Sequence, residues 1–275
     1  MAQILHRNAG EVASAARRRG RFAPADWRRV LYGILCATMD ELEALRARLK
    51  LDLTPEIHGP TQVWRGRHAD GELALALSGI GKVHAAAAAT VLMSLFSPQA
   101  LIFSGVAGGL HPDLPVGTVL LADRLAIHDY GLMAGGRFTP VEYGVIPPGA
   151  PRLATLPPVA ADVAATLAAL AEAIGPKLDA PVLLGGVITA DYFLNCGATR
   201  EQLRADFGAD AIDMESGAVN QVAKAWGAPL YVIRTLSDLA GEESHVTYPQ
   251  MVAMAARNSA LCVEALLHLL HADTA

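Results

Sequence analysis

The sequence predicts an α/β fold in which a mostly parallel central sheet is flanked by helices on both faces. Two observations point there. Short apolar runs of strand length alternate along the chain with stretches of helical periodicity, the pattern of a parallel sheet with crossover helices. The chain has 275 residues, 52% hydrophobic and 18% charged, enough to bury one large core.

The first element is the most ambiguous. The stretch WRRVLYGILCATMDELEALRARL at 27–49 places an arginine pair before a short apolar run ending in Leu35-Cys36-Ala37. That could be the end of a lipoprotein signal peptide, or a first buried strand. The run at 30–37 is at the short limit for a signal peptide, and Leu35 is not the small residue that cleavage requires. It therefore reads as a strand, followed by a helix at 40–49. Residues 1–29, with Arg17, Arg18, Arg19 and Arg21, read as a separate basic N-terminal extension, and 30–275 as a single domain.

Further strands are expected at 73–79, 100–105, 117–123, 182–189, 211–215 and 229–238, with helices at 82–96, 159–174, 217–226 and about 249–271. The glycine-rich VAGG at 106–109 is expected to be a turn that lets backbone amides approach a ligand. The Gly- and Pro-rich stretch at 131–158 is long for a connector, which favours a lid or an interface. The segment 85–110 is strongly apolar, but Pro98 and its glycines divide it. Neither half reaches the roughly 18 continuous apolar residues of a spanning helix.

Bulk chemistry narrows the function. A formal charge of −5 and a pI near 6.0 give no global attraction for nucleic acid or an anionic membrane. Three widely separated cysteines without a C-x-x-C pair suit reduced thiols in a cytoplasm. The nine histidines contain no H-E-x-x-H, so no metal site is expected.

In such sheets ligands bind at the carboxyl ends of strands. Polar residues stand there in four places: Asp40 and Glu41; the glycines of VAGG; Asp213, Met214, Glu215 and Ser216; and Arg234, Ser237 and Asp238. Each has a plain structural reading. Glu41 suits a helix N-terminus, the glycines a turn, Asp213 and Glu215 a solvated surface, and Asp238 a cap.

Together the motifs GIGK at 79–82, SGVAGGL at 104–110, ADYFLN at 190–195, IDMESGAV at 212–219 and RTLSD at 234–238 resemble those of the 5′-methylthioadenosine/S-adenosylhomocysteine nucleosidases. These belong to the purine nucleoside phosphorylase superfamily. The resemblance runs in order over about 32–271 and implies the three-layer phosphorylase/hydrolase-like fold. It also implies hydrolysis of the N-ribosidic bond of an adenine nucleoside, no metal or organic cofactor, and a homodimer.

By that resemblance Asp238 matches the aspartate that protonates the purine at N7, with Ser237 and Arg234 orienting it. Glu215 and Met214 match the motif that holds the ribose hydroxyls. Phe193 matches the aromatic stacked on the base, and Tyr248 an aromatic near the 5′ end. Glu41 matches the carboxylate that activates water. Val106 and Gly108 belong to the nucleophile-side motif, where Val106 stands in place of a usual serine. Asp213 replaces the usual glutamate before the Met-Glu pair.

The related phosphorylases are expected to carry an arginine and a serine around 103–106. This chain has Phe103-Ser104-Gly105-Val106, so water is the expected nucleophile. A phosphorylase, a nucleosidase for a futalosine-like or other adenosyl compound whose 5′ pocket the 131–150 loop would line, and an inactive nucleoside-binding protein are the alternatives.

Overall fold

The computed structural model describes residues 31–68 and 71–272; the basic extension at 1–29 lies outside them. In chain order its elements are β1 (Leu31–Cys36), α1 (Met39–Arg46), β2 (Lys50–Leu51), β3 (Glu56–His58), β4 (Thr61–His68), β5 (Gly71–Leu77) and α2 (Lys82–Val91). There follow β6 (Ala100–Gly109), β7 (Val119–Ile127), β8 (Gly131–Ala134), β9 (Arg137–Pro140), α3 (Ala161–Ile174) and β10 (Val182–Thr189). The chain closes with α4 (Gly197–Phe207), β11 (Ala211–Asp213), α5 (Ser216–Trp226), β12 (Leu230–Asp238) and α6 (Ser244–Ala272).

Among the described residues ten strands form one mixed sheet, ordered β11-β10-β7-β12-β6-β1-β5-β4-β2 with β3 beside β4. The centre is parallel: β1 lies between β5 and β6, and β6 runs beside β12. The edge strands β2, β3 and β4 pair antiparallel. β6 is ten residues long and changes neighbours along its length. Its first half pairs with β1, and Gly108 and Gly109 at its end pair antiparallel with β11. That last pairing closes β6, β12, β7, β10 and β11 into a ring.

Burial explains the arrangement. One core cluster joins β1, β5 and β7 to α1, α3 and α6 through residues such as Ile34, Leu75, Leu121, Leu167 and Leu266. A second joins the opposite face to α2 and α5 through Leu35, Phe103, Ala88 and Val219. Each fully buried Leu or Ile contributes roughly 1.5–3 kcal/mol relative to exposure. The small face of α2, Ala85, Ala88 and Ala89, is buried at i, i+3 and i+4, which brings that helix close to the sheet. A π-helical turn over Leu92–Phe96 ends it, with Ser97 in a left-handed conformation at φ 49° before Pro98.

Several expectations change. VAGG is not a turn: the strand continues through it to Gly109. Its glycines serve close strand packing, since a Cβ on Gly108 would lie 3.2 Å from Ala240 Cβ and one on Gly109 3.0 Å from Leu236 Cδ1. The strand expected to reach 215 stops at Asp213. The last helix starts at Ser244 and takes Pro249 into its interior. Its first turn is held from outside, because Asn195 Oδ1 accepts from the His245 backbone N–H at 3.3 Å.

The hairpin of β8 and β9 occupies the start of the long 131–158 stretch. Gly135 and Gly136 form its turn with φ of 56° and 75°, the sign of φ that a two-residue hairpin turn demands.

Candidate active site

The carboxyl ends of β1, β6, β11 and β12 surround a cavity of about 420 Å³. Glu41, Val106, Gly108, Phe193, Met214, Glu215, Ser237, Asp238 and Tyr248 all line it. Of the expected site residues only Arg234 does not; it lies beneath, fully buried. The 131–158 stretch contributes no lining here. Phe138, Thr139, Pro140 and Arg152 instead face Gln202 and Phe207 across a separate hollow, so the loop that the futalosine-like alternative would place at a 5′ pocket does not line this cavity.

Glu41 reaches the cavity because of a local device. Thr38 caps α1 and accepts from the Glu41 backbone N–H, while Glu41 Oε2 accepts from the backbone N–H groups of Thr38 at 3.0 Å and Ala37 at 2.7 Å. This is a capping box. Oε1 accepts from Val106 N–H at 3.0 Å. The helix-end reading of Glu41 holds, and the same carboxylate also lines the cavity. Burial raises its pKa, opposed by Arg234 and the three amides. The Val106 contact is a backbone one, so a valine side chain leaves it intact.

Arg234 anchors the charges. Its Nε donates to Asp213 Oδ2 at 2.9 Å and Ser216 Oγ at 3.1 Å, and its Nη2 lies 2.8 Å from Asp213 Oδ2 and 3.5 Å from Glu215 Oε2. The Phe103 ring covers the guanidinium, 4.0 Å from ring centroid to Cζ. Its Nη1 has no hydrogen-bond partner among the described residues. That atom and Glu41 Oε1 converge on the face of Gly105, where an added Cβ would strike both. Arg234 thus holds Asp213 and Glu215 and does not orient Asp238, which corrects the role expected for it.

Glu215 sits at the N-cap of α5 with its Oε1 accepting from Gly81 N–H at 3.0 Å. It is 5% exposed, so it is not the solvated surface residue of the plain reading. Burial pushes its carboxyl up to about 7, with Arg234 opposing and Asp213 adding to the rise. Asp238 is equally enclosed. Its Oδ1 accepts from Ala240 N–H at 2.8 Å and its Oδ2 from the Ser237 hydroxyl at 3.0 Å. Burial raises its pKa, against the hydrogen bonds from Ser244, Ala240 and Ser237. A register shift in β12 between Leu236 and Asp238 sets Asp238 opposite Gly108.

At the mouth Phe193 and Tyr248 meet edge to face, centroids 5.9 Å apart at 81°. Phe193 stays 49% exposed, leaving a ring face for a flat ligand. Burial pushes the Tyr248 phenol up to about 12.

Sequence reasoning named Asp213 at a strand end without its role, and missed two sets of backbone amides. Asp213 is the hub, accepting from Thr189 Oγ1 at 2.5 Å, from Ser216 and from Arg234. The Gly81 amide holds Glu215. The Ala37 and Thr38 amides hold Glu41. The Thr-x-x-Glu pattern at 38–41 could have announced the last; nothing local announces the others.

The family model for the Phosphorylase superfamily matches residues 31–268. A 5′-methylthioadenosine/S-adenosylhomocysteine nucleosidase of Mycobacterium bovis is 36% identical over 253 residues, covering 88% of this chain and 99% of that protein. The structure of futalosine hydrolase from Helicobacter pylori superposes with a TM-score of 0.76 at 26% identity, covering 87% of this chain and 97% of that one. The 5′-methylthioadenosine/S-adenosylhomocysteine nucleosidase from Neisseria meningitidis, in complex with methylthio-immucillin-A, does so at 0.75 and 27%, covering 86% and 98%. No helix among the described residues is long and apolar enough to cross a membrane.

Proposed function

This chain belongs to the phosphorylase superfamily, and we infer that it is an N-ribosyl hydrolase releasing adenine from nucleosides of the 5′-methylthioadenosine/S-adenosylhomocysteine type. One observation carries the reading: three buried carboxylates, Glu41, Glu215 and Asp238, converge on one cavity whose mouth bears an aromatic face. Cleaving an N-ribosidic bond requires a proton for the leaving base, charge stabilisation for an oxocarbenium-like sugar, and a nucleophile.

Asp238, its pKa raised by burial, donates the proton to N7, held by Ser237 and Ala240. Phe193 stacks on the base. Glu215, beside Met214, accepts from the ribose hydroxyls and stabilises the cationic sugar. Glu41 Oε1 and Arg234 Nη1, converging at Gly105, hold the attacking water, and Glu41 takes its proton. Gly108 lets the base approach Asp238, and Tyr248 closes the 5′ side.

Water is favoured over phosphate on electrostatic grounds. Arg234 is already paired with Asp213 and Glu215 and is covered by Phe103. The carboxylates around it repel a phosphate dianion. Three catalytic carboxylates also speak against a mere binding protein.

The reading extends to residues 30–275 as a single catalytic domain in a homodimer. Met39, Ile80 and Val83, beside the cavity mouth, are 54%, 53% and 79% exposed, an apolar rim that a second copy would cover. Free Cys36, Cys196 and Cys262 suit a cytoplasmic setting.

The test is a product assay on purified protein with methylthioadenosine, S-adenosylhomocysteine, adenosine and futalosine, each with and without phosphate. Free base plus free sugar, independent of phosphate and fastest with a 5′-thio substituent, is the expected result. Sugar 1-phosphate formed only with phosphate would overturn the hydrolytic assignment, and preference for futalosine would overturn the substrate assignment.

A further inference from the structure

Beside the cavity, but not lining it, Lys82, Asp129 and Asp191 form a closed circuit. Lys82 Nζ lies 2.5 Å from Asp129 Oδ1 and 3.4 Å from Asp191 Oδ2. The Lys82 backbone N–H donates to Asp191 Oδ1 at 2.9 Å, and Asp191 N–H donates to Asp129 Oδ2 at 3.0 Å. The Lys82 and Asp129 side chains are 19% and 24% exposed, so their attraction is screened less than that of a surface pair.

The circuit stands in for a missing local cap. Helix α2 is preceded at its N-cap position by Gly81, which has no capping side chain and holds φ at 96°, a conformation natural to glycine. The carboxylate that satisfies the helix N-terminus comes instead from Asp191, after β10, where it also complements the helix dipole. Three loops are thereby joined: those following β5, β7 and β10. The loops after β5 and β10 carry groups of the site, and the loop after β7 braces the second of them. Gly81 donates to Glu215, Asp191 precedes Phe193 by two residues, and Asp129 follows His128, whose Nε2 lies 3.0 Å from the Tyr192 hydroxyl.

We propose that Lys82, Asp129 and Asp191 are a positioning clamp for ribosyl cleavage, setting the Gly81 amide on Glu215 and Phe193 over the base. This rests on the nucleosidase reading above. Releasing the clamp frees the Gly81 N–H, a donor that favours the ionised form of Glu215. The other groups facing Glu215 remain: Arg234 from β12, Asp213 from β11, Glu41 from α1 and Tyr248 from α6. The carboxyl therefore ionises at higher pH, and the acidic limb of the rate profile follows it upward.

The experiment compares wild type with Lys82→Met, Lys82→Arg, Asp191→Asn and the double variant Lys82→Met/Asp191→Asn. For Lys82→Met the expected result is a loss of kcat/KM of about tenfold or more, the cost of slight misplacement, with the acidic limb moved to higher pH. Lys82→Arg recovers most of the activity, and the double variant is no worse than the poorer single variant. Activity of Lys82→Met within about twofold of wild type, or a loss with an unmoved limb and additive double variant, overturns the clamp. Hydrogen exchange of the peptides spanning 79–84 and 189–195 needs no substrate. Faster exchange confined to those two peptides in Lys82→Met is expected, and unchanged protection overturns the clamp. Wild-type turnover is read separately, so an inactive wild type overturns the nucleosidase reading while exchange still decides the clamp.

Discussion

Glu41 Oε1 accepts the backbone N–H of Val106 at 3.0 Å, linking residues 65 apart in the chain. This bond turns a helix-capping carboxylate toward the end of β6 and beside Arg234. All the amides it meets are donors, namely Ala37, Thr38 and Val106, so the site is built for a carboxylate with acceptor oxygens on both sides.

Glu41→Gln is therefore expected to lose turnover by about 10²–10⁴-fold, the usual worth of general base catalysis. Its amide NH₂ must also face a donor, which lowers the melting temperature. Adenine affinity by calorimetry stays near wild type, because the proposed role of Glu41 is to hold the water and not the base. Wild-type turnover would return Glu41 to a purely capping role.

Asp238→Asn keeps an acceptor for Ala240 N–H and a polar partner for Ser237, so folding is expected to survive. It has no proton to give. Adenine release should fall by about 10²–10⁴-fold while nucleoside binding remains measurable. Unchanged release in single-turnover experiments would remove Asp238 from the proton transfer.

Glu215 links activity and stability through pH. Its folded pKa of about 7 lies above the 4.5 of a free glutamate. Its favourable contribution to folding is thus fully present below about pH 4.5 and is lost as pH rises through about 7. At pH 8 the carboxylate is ionised and buried, so Glu215→Gln is expected to raise the melting temperature by a few degrees while abolishing most activity. At pH 4 the two proteins should melt alike. A lower melting temperature for the variant at pH 8 would show that the pairing with Arg234 outweighs the burial.

Gly105 leaves room for two opposed groups. A Cβ there would strike Arg234 Nη1 and Glu41 Oε1, whose side chains are held by Asp213 and by the Val106 amide. Gly105→Ala is expected to destabilise by about 1–3 kcal/mol, as overpacking does, and to cost about 10²-fold or more in kcat. Denaturant melts and kinetics check this together, and near-normal values in both would mean that the two side chains can part freely.

The strands of the central sheet were legible because they are apolar runs of the right length: 182–189 matches β10 residue for residue. The elements that were not legible bury little. Helix α4 buries only Leu203 and Phe207, too few to mark a period, and β4 mixes buried Val63 and Trp64 with exposed Gln62 and Arg65. The turn expected at VAGG failed for another reason. Glycine marks close approach as readily as reversal, and only the neighbours Ala240, Leu236 and β11 decide which.

By itself the sequence determined the α/β class, because residue type and local period are carried by neighbouring positions, and its motifs carried the family resemblance that implied the residues at the cavity. Tertiary structure alone decided which group holds which. Arg234 serves Asp213 and Glu215 rather than Asp238, Gly81 lends its amide to Glu215, and Asp191 caps a helix that begins 109 residues before it. These partners are separated in the chain and joined only by the packing of strands into one sheet. Hydrogen bonds and burial act through distance in space, to which spacing along the sequence is blind.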